Sequence, residues 1–139
     1  MSDTCFTSSE TNGKNTKTVK PGDIVIENAE VLRGLIERNY SPLLLEIILY
    51  IIRQHGAVII EAWRPRKTPT DLHGTQPIRA IDIDPWCYGA DHRAYNIMHS
   101  VNKLWEYNPE KPKEMCADVS AARFCIRVHP KTRRRLWTQ

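Results

Sequence analysis

The stretch Asp71-Leu72-His73-Gly74-Thr75-Gln76-Pro77-Ile78-Arg79-Ala80-Ile81-Asp82-Ile83-Asp84 restricts the possible folds of this chain more than any other. Its second half alternates, with Ile81 and Ile83 on one side and Ala80, Asp82 and Asp84 on the other. A period of two describes a strand with one apolar and one acidic face. An acidic face is costly to bury unless something pairs with it or binds it. Upstream, Gly74 and Pro77 punctuate the segment that carries His73, so a turn can fold the imidazole back over the strand. A histidine and a carboxylate brought together in this way, His73 and Asp82, are two ligands of a candidate zinc site.

The flanking sequence supplies elements to pack against that strand. Residues 1–20 are rich in Ser, Thr, Asn and Lys and nearly devoid of aliphatics, which reads as a flexible arm ahead of a single domain at 21–139. Pro21-Gly22-Asp23 makes a turn and Ile24-Val25-Ile26 a short edge strand. Asn28 suits the cap of a helix to about Asn39, with Val31, Leu32, Leu35 and Ile36 as its buried stripe. Ser41, Pro42 and Gly56 mark the ends of a second helix, apolar nearly all round and so expected at the centre of the core. Ala57 to Trp63 reads as a buried strand that leaves the sheet at Arg64-Pro65-Arg66.

Beyond Asp84, Pro85 to Gly89 reads as a loop. Asp91 can cap a helix to about Trp105, with Ala94, Ile97, Met98, Val101 and Leu104 at helical spacing. After a second loop at Asn108 to Pro112, Met115–Val119 and Phe124–Val128 read as paired strands. In the latter, Phe124, Ile126 and Val128 face the core and Arg123, Cys125, Arg127 and His129 the opposite side. The expected architecture is α+β: a small antiparallel sheet, two or three helices packed on one face, and the site on the other.

A length of 139 residues is enough for one self-supporting core. The polar N-terminus lacks the apolar run of a signal peptide, and the apolar run Leu43–Ile52 is too short to span a bilayer. The chain therefore reads as soluble and made in the cytoplasm. Cys5, Cys87, Cys116 and Cys125 show no C-x-x-C spacing, which disfavours a zinc ribbon or thioredoxin motif and favours free thiols. The net charge of +4 is concentrated in Arg123, Arg127, Lys131, Arg133, Arg134 and Arg135, a run with no acid that favours an anionic partner.

In their order, these segments resemble the zinc D-alanyl-D-alanine carboxypeptidase superfamily, which includes murein endopeptidases and phage lysins and has the Hedgehog signalling domain as a relative. The family pattern is an arginine after a strand, a histidine, an Ala-x-Asp strand, a helix and a His-x-His strand. His73-Gly74-Thr75-Gln76-Pro77-Ile78-Arg79-Ala80-Ile81-Asp82-Ile83 is similar to a group of short phage-type members, as are Asn102 to Pro112 and Val128-His129-Pro130-Lys131-Thr132. The resemblance covers about residues 28–135. It implies zinc on His73 and Asp82, Arg64 as the holder of a substrate carboxylate or carbonyl, and a peptidoglycan peptide as substrate. An enzyme of this kind would meet the cell wall after release or as part of a phage particle.

The final strand departs from the pattern, with Arg123-Phe124-Cys125 where the family has His-x-His. Two readings stand side by side. Cys125 can complete a His/Asp/Cys site with an open fourth position, with Asp84, Asp118 or His129 as the base that Arg123 cannot be. Alternatively, catalysis is lost and the fold serves as a cell-wall or protein-binding module; Cys125 is then an inert near-core thiol. Arg64 and Arg66 can equally pair with Asp71 or Asp84, and Trp63, Trp86 and Trp105 suit core or rim packing. A small basic nucleic-acid-binding protein, acting through the C-terminal arginines, is a further and weaker alternative.

Overall fold

The computed structural model describes residues 18–89 and 93–135. Its main sheet has five strands: β1 (Ile24–Ile26), β2 (Ala57–Glu61), β3 (Ala80–Ile83), β5 (Ala117–Val119) and β6 (Phe124–Arg127), in the order β1-β2-β3-β6-β5. Two-residue strands β4 (Trp105–Glu106) and β7 (Arg133–Arg134) pair separately. The helices are α1 (Ala29–Glu37), α2 (Pro42–His55) and α3 (Arg93–Leu104). The fold is α+β as expected, but the sheet is mixed rather than antiparallel. β1 runs parallel to β2, because the chain between them is long enough to hold two helices and cross over.

Local chemistry sets most of the boundaries. Asn28 Oδ1 accepts the Val31 N–H at 2.9 Å and starts α1. Pro42 opens α2, and Gly56 closes it at φ +80°, where a side chain would also meet the Lys20 carbonyl. The Asp91 cap expected for α3 lies outside the described residues, as does Cys5. Of the expected N-terminal arm, residues 1–17 also lie outside them. Val19, near its end, is buried, and its N–H donates to the Cys87 carbonyl, so packed structure begins before Pro21.

Ile81, Ile83, Phe124 and Ile126 are at most 1% exposed and join α2 and α3 in one core, each contributing about 1.5–3 kcal/mol by burial. The expected stripe of α1 is only half right. Val31 and Leu35 pack on the core, whereas Leu32 and Ile36 face solvent and Gly34 is buried instead, against Trp63. Likewise α2 is not buried all round, since Leu45 and Leu49 are exposed. Both helices lie on the sheet with one side open, so fewer apolar positions are covered than their sequences offer.

Candidate metal centre

The site is a row across four strands. Antiparallel register sets Glu61 of β2 opposite Asp82 of β3, Asp82 opposite Cys125 of β6, and Cys125 opposite Asp118 of β5. Partners directly opposite share a face, so this row lies on the side of the sheet away from Phe124 and Ile126. A bulge between Ile59 and Glu61 shifts the β2 register and brings Glu61 into the row. Two carboxylates directly opposite repel, and Arg123 resolves this. Its Nη1 donates to Asp82 Oδ2 at 2.7 Å and to Glu61 Oε1 at 3.3 Å.

His73 reaches the row from the 3-10 turn Leu72–Gly74. Asp71 caps that turn: its Oδ1 accepts the His73 N–H at 3.1 Å and faces the ring Nδ1 at 3.2 Å. Asp71 also takes Arg64 Nε at 3.0 Å and Nη2 at 3.2 Å, while Arg64 Nη1 donates to Glu61 at 2.6 Å. The ion pairs therefore close a ring, Asp71–Arg64–Glu61–Arg123–Asp82–His73 and back to Asp71. Three carboxylates face two guanidiniums and one imidazole, so the acids outnumber the permanent cations by one.

The geometry between His73 and Asp82 suits a cation. His73 Nε2 and Asp82 Oδ1 face each other at 3.1 Å within ion-pair reach, yet they are not aligned for a hydrogen bond, and neither buried atom has a hydrogen-bond partner. Buried polar atoms are almost always satisfied, so two orphans facing each other mark a missing third party. Ligands about 2.0–2.1 Å from a tetrahedral zinc are roughly 3.3 Å apart, close to the observed separation. Donor atoms of His73, Asp82 and Cys125 all lie within 4.8 Å of one another. The residues present thus fit a divalent ion of zinc type, with imidazole, carboxylate and thiol donors.

The electrostatics follow from burial and partners. Burial opposes ionisation of Asp82, but His73 and then Arg123 outweigh it and hold the carboxyl below its ordinary range. Burial likewise opposes Asp71, and hydrogen bonds from Arg64 and from the Lys67 and His73 backbone pull it well down. Burial, followed by the Asp82 carboxylate, pushes the Cys125 thiol well up, so without a metal it stays protonated. Burial also raises Cys87 and Cys116 to about 12; these two and Cys125 are free thiols, as expected.

His73 and Cys125 open onto a cleft of about 740 Å³. Besides the Arg64–Asp71 pair, its walls carry Arg66, Lys67, Arg79 and Arg127 against Glu114. Arg64 lines the cleft with its guanidinium engaged by two carboxylates, Glu61 and, as one of the pairings considered from the sequence, Asp71. Asp118 ends the row as an exposed side chain on the edge strand. Asp84 belongs to the following turn, Pro85–Tyr88, where its Oδ1 accepts the Trp86 N–H at 2.9 Å. His129 sits in a turn and accepts the Lys131 N–H on Nδ1. Arg133, Arg134 and Arg135 form ion pairs with Glu106 and Glu46.

Sequence reasoning did not find Glu61, nor Asp71 as the partner of the His73 ring. Asp71 had a signal, an Asp two residues before a His in a turn segment, which is the spacing of a side-chain cap. Glu61 had none, because a bulge brings it into the row. Comparison with protein-family models, curated proteins and solved structures finds no match. No helix among the described residues is long and apolar enough to cross a membrane.

Proposed function

We propose that the protein is a zinc-dependent peptidase of the peptidoglycan-cleaving type. The observation that carries this reading is the facing pair of buried atoms His73 Nε2 and Asp82 Oδ1, neither hydrogen-bonded, with Cys125 beside them at the floor of an open cleft. His73, Asp82 and Cys125 would hold the ion, which supplies Lewis acidity and lowers the pKa of a water bound to it. Asp71 fixes the ring of His73 through Nδ1, as carboxylates commonly do for ligating histidines. Arg79, Arg127 and Lys67 orient the anionic ends of a peptide along the cleft, with the neutralised Arg64 behind them. Of the carboxylates considered as base, Asp84 is committed to its turn. Asp118, the exposed cross-strand neighbour of Cys125, is the carboxylate left on this face of the sheet that would accept a proton from water. The peptidoglycan substrate rests on the sequence resemblance of residues 28–135.

Metal analysis of the purified protein, paired with digestion of isolated cell-wall peptides, tests this directly. Stoichiometric zinc and cleavage that both disappear in His73→Ala support it; folded protein that takes up no zinc rejects it. The Arg123–Asp82 ion pair favours one second reading, a catalytically silent relative that binds cell wall or another protein. Cleavage that appears only in the double variant Arg123→His, Cys125→His would establish that reading.

A further inference from the structure

The two oxygens of Asp82 have different occupants. Oδ2 is held by Arg123 at 2.7 Å, while Oδ1 is buried without a hydrogen bond, 3.1 Å from His73 Nε2. We propose that Arg123 is a positioning residue that divides Asp82 between two cations and so sets how tightly the site holds its metal. The inference rests on the metal-centre reading above and adds to it a determinant of affinity.

A guanidinium on Oδ2 restricts Asp82 to one oxygen for the metal and places a permanent positive charge beside a divalent one. Both effects weaken metal binding, and at this depth they are poorly screened, since Asp82 is fully buried and Arg123 is 18% exposed. Glu61 acts the other way. It shares Nη1 of Arg123 at 3.3 Å and also binds Arg64, so it draws the guanidinium partly off Asp82. In the metal-free protein Arg123 compensates the buried carboxylate, so the cleft persists without an ion. The site therefore takes up and releases metal without unfolding, unlike a structural zinc site, whose ion is part of the fold.

The test is zinc affinity, measured by competition with a chromophoric chelator on the full chain. Cobalt substitution reports through its thiolate charge-transfer band whether Cys125 is bound. Arg123→Met keeps the length and removes the charge; it should tighten zinc by about tenfold or more. Glu61→Gln leaves Arg123 wholly on Asp82 and should weaken zinc by about tenfold. Arg123→Lys restores the charge and should return affinity close to that of the natural protein. General damage to the fold cannot produce opposite signs from two neighbouring substitutions.

Zinc binding in the natural protein with Arg123→Met no tighter overturns the inference and leaves the metal centre standing. If Arg123→Met does not fold, Glu61→Gln decides, and unchanged or tighter binding there overturns it. Zinc held by Arg123→Met alone supports the inference in its strongest form, with the guanidinium excluding the ion. Folded variants and natural protein that all remain without metal defeat both the inference and the metal centre beneath it.

Discussion

Arg123→Met in a metal-free buffer tests the buried charge balance apart from any metal. Asp82 is fully buried, and Arg123 supplies its shortest contact, 2.7 Å, from a side chain only 18% exposed. Removing one partner of a buried ion pair leaves an uncompensated charge and costs about 3–5 kcal/mol. For a domain of this size, that corresponds to a fall in melting temperature of roughly 10 °C or more. The loss should depend on pH in a defined direction. In the natural protein the carboxyl of Asp82 is held below its ordinary value of 3.8. Without Arg123, only His73 of these two partners is left to offset burial and the carboxyl shifts upward, so the loss owed to ionised Asp82 fades as pH falls through the new pKa, by about 1.4 kcal/mol per unit. Denaturant unfolding with a chelator present, at pH 5 and pH 8, measures the effect. The difference from the natural protein should be larger at pH 8 than at pH 5, toward which Asp82 takes up its proton more readily. A loss below about 1 kcal/mol at pH 8, or one independent of pH, would refute the reasoning.

Other expectations follow from the same geometry. Chelation should leave the natural protein folded, with circular dichroism unchanged, because Arg123 already compensates Asp82. Asp71 and Asp82 both lie below their ordinary value of 3.8, so their stabilisation is complete above about pH 5 and lost as pH falls. Asp71→Asn should accordingly flatten the acid limb of a stability–pH curve, and should also lower zinc affinity by about 10–100-fold by freeing the His73 ring. Gly56→Ala combines a positive φ with a clash at the Lys20 carbonyl and should cost more than about 1 kcal/mol, read as a shift in urea midpoint. Cys87 and Cys116, with pKa raised to about 12 by burial, should resist alkylation at pH 8 until denaturant is added, followed by peptide mass spectrometry.

The alternation around Asp82 and the apolar positions of Phe124 and Ile126 gave away the strands, their facing and the opposition of site and core. Turn chemistry at Gly74 and Pro77 was enough to anticipate that His73 folds back over the strand. Two features were hidden for physical reasons. The parallel pairing of β1 is a matter of long-range connection, and three residues of Ile and Val look alike in either direction. The exposure of Leu32, Ile36, Leu45 and Leu49 depends on how much of each helix the sheet can cover, which periodicity does not encode. Within the site, the alternation of the last strand already set Arg123 and Cys125 on the face opposite the core. That Arg123 would bind the very carboxylate proposed as a ligand was not visible, since it required the Glu61 bulge and the β3–β6 register together.

The closed ring of ion pairs also bears on how such a centre can change. Every member touches two others, so a single exchange at any of the six positions strands two neighbours at once. Substitution effects around it should be strongly non-additive, and workable alternatives will be reached by paired replacements rather than one at a time. Arg123 is thereby locked in by its neighbours, and a tolerated change there is expected to need a matching change at Asp82 or Glu61.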